Sequence, residues 1–130
     1  MKLITNSDAP IVSADFPNTP SVSVLFGEES SPDVGMVRVT VPSGVGMPPH
    51  RHSGSDVILT LMSGAVRISK DEEIVDVEVG HTLLILKDEV VALDNPHEDP
   101  AEVLVAVGPA AFVSTVRGWP EVSAESVQPA

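Results

Sequence analysis

His50 and His52 stand one residue apart in Gly44-Val45-Gly46-Met47-Pro48-Pro49-His50-Arg51-His52, and their type and spacing point to chemistry. The chain has four histidines, so finding two of them as an i, i+2 pair is informative. On an extended backbone successive side chains alternate faces, which aims both imidazoles the same way. Two imidazoles directed into one interior serve a metal ion or proton transfer near neutral pH. Asp56 is a third ligand or general base if the chain bulges before Val57; a strand-start residue facing water is the simpler expectation. Arg51 falls on the face opposite the pair and is expected at the surface or a dimer contact. His81, beside a glycine turn, and His97, in an acidic loop between prolines, read as surface residues.

The elements that must position the pair are strands. The 130 residues fit one domain with 42% apolar content, enough for a core. Valine dominates that content, Tyr is absent, and there are three Phe and one Trp, a composition that favours strands over helices. Twelve Pro and nine Gly punctuate it into short runs. Ser21–Phe26 and Gly35–Val41 alternate as half-buried strands do. A further extended piece starts at His50-Arg51-His52. Residues 57–62 (VILTLM) are apolar at nearly every position and predict a strand buried on both faces. Residues 65–68 and 74–79 read as a hairpin, followed by strands at 82–86, 90–93 and 103–107. The organisation expected is an N-terminal arm over 1–20, a barrel or sandwich over 21–117, and a tail over 118–130. Trp119 is placed to anchor that tail against the barrel or a partner subunit.

Charge and composition exclude some partners. A net charge of −12 repels nucleic acid and anionic membrane surfaces. No apolar run approaches the roughly 20 residues that span a bilayer. The first residues lack the apolar core of a signal peptide, so a soluble cytoplasmic protein is expected. Cysteine is absent, which leaves redox compartment unread.

Gly44, five residues, then His50-x-His52 resembles the first motif of the cupins, small all-β double-stranded β-helix (jelly-roll) barrels. Gly64 fits the end of that motif, and Gly80 and Asn95 fit the limits of the second. The resemblance covers residues 35–108. In metal-binding cupins two histidines and a Glu from the first motif join a His from the second around one divalent ion. His50 and His52 match the first two positions. Strand parity puts Val57 at the Glu position, and counting back from Asn95 puts Val91 at the second-motif His position. A third ligand then has to come from Asp56, from outside the motif, or from substrate and water. The cofactor implied is at most one weakly held divalent transition metal (Zn, Fe, Mn or Ni).

Replacing two ligand positions by valine makes the cavity wall apolar and favours a ligand with a large hydrocarbon part. Met36, Met47, Val57, Leu59, Leu61 and Val91 are the expected pocket residues, with His50 and His52 as acid and base. Burial should lower the histidine pKa values and leave both rings neutral. The resulting expectation is a small-molecule enzyme performing an isomerisation, cyclisation or elimination. Two rivals stand beside it: a non-catalytic small-molecule-binding cupin, and a metal-dependent dioxygenase or isomerase with a non-standard third ligand. A homodimer is implied by the resemblance, with the N-terminal arm a candidate for pairing across the interface.

Overall fold

The computed structural model describes residues 1–14 and 17–122. Among these residues ten strands form two antiparallel sheets. In chain order they are β1 (Ile11–Ser13), β2 (Ser21–Phe26), β3 (Gly35–Val41), β4 (Gly46–His50), β5 (Asp56–Ser63), β6 (Ala65–Lys70), β7 (Glu73–Glu78), β8 (Thr82–Ile85), β9 (Val91–Asp94) and β10 (Ala101–Gly108). The larger sheet runs β1-β2-β3-β10-β5-β8 and the smaller runs β4-β9-β6-β7. Their inner faces meet in one core, the double-stranded β-helix expected from the order of strands and turns.

Alternation decides what enters that core. On β3, Val37, Val39 and Val41 point inward while Met36, Arg38 and Thr40 point out; on β10, Val103, Val105 and Val107 do the same. Gly64 makes the turn from β5 to β6 with φ +71, a left-handed conformation that a side chain would strain. A Cβ there would also strike the backbone at Pro100.

Several expectations are corrected. The 57–62 strand is buried on one face only: Val57, Leu59 and Leu61 are inward, whereas Ile58 is 47% and Met62 52% exposed. A run apolar at both parities reads the same whether its outer face is covered or bare. The strand expected to begin at the histidine pair instead ends at His50, because Pro48 and Pro49 are accommodated within β4. This is possible because β4 is an edge strand and its register shifts between Met47 and His50.

The arm is not free for pairing with another chain along its whole length. Its β1 pairs with this chain's own β2, and the far side of β1 meets residues 120–122. Beyond β10 the structure adds a helix that the sequence reading missed, α1 (Ala111–Arg117), whose Val113 and Val116 are buried in the core. Two turns are too few for a 3.6-residue period to stand out in a valine-rich chain. Trp119, expected to anchor the tail against the barrel or a partner subunit, lies partly buried against the core of its own chain. The rest of that tail, 123–130, lies outside the described residues. No helix is long and apolar enough to cross a membrane among the described residues.

Candidate active site

His50 closes β4, and His52 lies two residues beyond the end of that strand. Both line the cavity between the sheets, while the intervening Arg51 is exposed. Their ring centroids are 4.9 Å apart with planes at 82°. His52 in turn meets Phe112 of α1 edge-to-face, at 4.9 Å and 84°. The cavity opens to solvent at its mouth, and the space that the centre of a water-sized molecule can occupy in it is about 60 Å³.

The two rings differ in setting. His50 is half-buried, and its Nδ1 lies 2.9 Å from the Pro48 carbonyl oxygen. A carbonyl only accepts, so Nδ1 carries the proton and neutral His50 keeps its lone pair on Nε2. His52 is 7% exposed, and its Nδ1 is buried without a hydrogen-bond partner among the described residues. Burial disfavours its cation and lowers its pKa from 6.5 to about 4, with nearby His50 acting in the same direction. His52 is therefore neutral at physiological pH.

Second-layer contacts hold the pair. Ser55, fully buried, donates from Oγ to the Pro109 carbonyl at 2.6 Å and accepts the Phe112 N–H at 3.2 Å. Its own N–H bonds the His52 carbonyl at 3.1 Å. The turn carrying His52 and the helix carrying Phe112 are thus tied at one hydroxyl. Asn95 does the same for the opposite wall. Its Nδ2 donates to the carbonyls of Val41 and Asp99, and its Oδ1 accepts the His97 N–H.

Of the residues expected from sequence, Met47, Val57, Leu59 and Val91 line the cavity with the two histidines. Leu61 is buried further along β5 and is not among the lining residues. Met36 is on the outer parity of β3, away from the cavity. Asp56 is exposed, and its carboxylate accepts the Lys87 N–H at 3.0 Å, so it turns away from the imidazoles. His81 and His97 are both exposed. Sequence reasoning missed Val37, Val39, Val103 and Val105, whose alternation carried the signal, and Phe112 and Val116, which carried none; Trp119, expected only as an anchor against the barrel, also lines the cavity.

The donor set tests whether a resident metal fits. Among the described residues no group of three or more His, Cys, Asp or Glu converges on a point. Val57 and Val91 face the histidines where further ligands would be needed, and an alkyl side chain offers no lone pair. Two imidazoles fall short of the three or four protein ligands a divalent transition ion takes. The residues present do not fit a full metal centre.

A family model, described as the cupin domain, matches residues 37–107. No curated protein matches the chain. Among solved structures, an uncharacterised conserved protein with a double-stranded beta-helix domain from Klebsiella pneumoniae is similar at TM-score 0.68 and 14% identity, covering 95% of this chain and 98% of that one. The polyketide cyclase RemF from Streptomyces resistomycificus is similar at 0.71 and 16%, covering 83% and 79%. A predicted oxalate decarboxylase from Thermotoga maritima is similar at 0.71 and 16%, covering 83% and 99%. Identities this low speak to the fold alone.

Proposed function

The chain belongs to the cupin family, and from that premise we propose that its barrel binds a largely apolar small organic molecule and transforms it by proton transfer to and from His50, with His52 beside it as a neutral hydrogen-bonding partner. One observation carries the reading: among the described residues that line the cavity, two imidazoles stand in a wall otherwise of aliphatic side chains, Met47, Phe112 and Trp119. Apolar walls supply binding free energy through burial, and the imidazoles supply the chemistry.

His50 is the base. Its Nδ1–H is held by the Pro48 carbonyl, which leaves Nε2 to take a proton from a hydroxyl or an acidified C–H. His52 stays neutral throughout, because its burial opposes a second positive charge 4.9 Å from a newly protonated His50. A neutral imidazole here orients substrate by hydrogen bonding, and the proton held on His50 is returned to another substrate atom. Isomerisation, cyclisation and elimination each need this proton movement and no electron transfer.

Screening uncharged ring compounds by thermal shift identifies binders, which raise the melting temperature by mass action. Each hit is then incubated with wild type, His50→Ala and His52→Ala. Turnover by wild type that both variants lose, with binding retained, supports the enzyme. Binding without turnover in any of the three leaves the non-catalytic carrier. Turnover that a chelator abolishes and added metal restores would instead favour a weak ion on His50 and His52, completed by substrate and water.

We also propose a homodimer. Met36, Ala106, Ile58 and Leu84 are register neighbours across β3, β10, β5 and β8 on the outer face of the larger sheet. Ile58 and Leu84 are 47% and 58% exposed. A contiguous apolar row of this kind is better covered than wet.

A further inference from the structure

Building on the reading of the cavity as a small-molecule site, we infer that its ligand is an uncharged, flat, unsaturated ring compound bearing a hydroxyl group. Aromatic side chains are scarce in this chain, with three Phe, one Trp and no Tyr. Even so, the single Trp, one of the Phe and two of the four histidines line this cavity. His50, His52 and Phe112 follow one another edge-to-face. Elsewhere the core is filled almost wholly by Val, Leu and Ile, so filling space does not explain the concentration of rings. Ring faces and edges at such angles complement another π-system.

Charge narrows the class further. Among the described residues no Lys, Arg, Asp or Glu lines the cavity. A carboxylate or phosphate entering it would lose hydration with no counter-charge to replace it. The net charge of −12 also repels an approaching anion. The hydroxyl follows from the tautomer of His50: with Nδ1–H engaged by Pro48, Nε2 is an acceptor and calls for a donor on the ligand. Phe112 and Trp119 lie beyond the family-matched 37–107, so the aromatic wall belongs to this chain's own C-terminal segment.

Four probes separate these terms: 2-naphthol, 2-methoxynaphthalene without the donor, decahydro-2-naphthol without the plane, and 2-naphthoate with a charge. Calorimetry gives affinities, and emission of the single Trp119 reports entry into the cavity itself. The expectation is 2-naphthol tightest, with the methoxy and saturated analogues about fivefold or more weaker and the anion roughly tenfold or more weaker. Parity of any analogue with 2-naphthol overturns the inference while leaving an apolar small-molecule site standing. Failure of all four to bind overturns both. His50→Phe should erase the preference for hydroxyl over methoxy and keep the preference for flat over saturated. A hydroxyl preference that survives in that variant also overturns the inference.

Discussion

His50 and Val91 are register partners across β4 and β9, so the residue directly opposite the first histidine is an aliphatic one. With Val57 inward on β5, the pair faces hydrocarbon where it would need donors to hold an ion. Replacing both valines, Val57→Glu with Val91→His, should create a four-donor site. Metal analysis after dialysis should find about one Zn²⁺ or Mn²⁺ per chain in the double variant, bound roughly a hundredfold more tightly than by wild type. Equal retention by wild type would show that the two imidazoles recruit a ligand from elsewhere.

His52 makes stability depend on pH. Its folded pKa of about 4 lies below the unfolded value of 6.5, so the unfolded state binds the extra proton first on acidification. The stabilisation from keeping this ring neutral is complete above pH 6.5 and is lost progressively toward pH 4. Between pH 7 and pH 5 the loss amounts to about 2 kcal/mol. Urea titrations of wild type and His52→Phe over that range should show a steeper decline for wild type. Parallel slopes would mean that His52 is solvated.

Ser55 ties the His52 turn to α1. Ser55→Ala removes a donor to Pro109 and an acceptor for the Phe112 N–H, leaving buried groups unpaired at a cost of about 1–3 kcal/mol. Because α1 supplies Phe112 and precedes Trp119, the variant should also shift Trp119 emission. Hydrogen exchange in 111–117 should rise. Unchanged exchange there would mean that core packing by Val113 and Val116 holds the helix without the hydroxyl.

Asn95 is 1% exposed, and its amide serves three backbone groups, one at the end of β3 and two in the loop between β9 and β10. Asn95→Ala should destabilise by about 2–4 kcal/mol, or prevent folding, while Asn95→Asp loses the two Nδ2 donors and keeps the acceptor. Thermal melts should rank wild type above both variants. A melting temperature within a degree of wild type for Asn95→Ala would remove it from the framework.

The outer row of the larger sheet predicts its own variant. Ile58→Glu places a charge at the centre of the row and should convert a dimer to a monomer in sedimentation velocity, with the melting temperature of the monomer concentration-independent. A wild type that sediments as a monomer at all concentrations rejects the dimer.

Much of this was legible in the sequence, because it depends on period and punctuation. Alternating valines fixed which face of β3 and β10 is inward, the i, i+2 spacing brought His50 and His52 to one side, and the parity of Val57 was read correctly from its neighbours. Other features depended on contacts between distant segments, which a linear pattern does not carry. Whether Ile58 and Met62 are covered, where Met36 points relative to the cavity, and that Asp56 meets Lys87 are matters of packing. The tautomer of His50, the depressed pKa of His52 and the arrival of Phe112 at its ring required the barrel to close and α1 to dock across its end. Side-chain periodicity is a local property of the backbone, whereas desolvation and hydrogen-bond partnership are set by whatever the fold brings alongside.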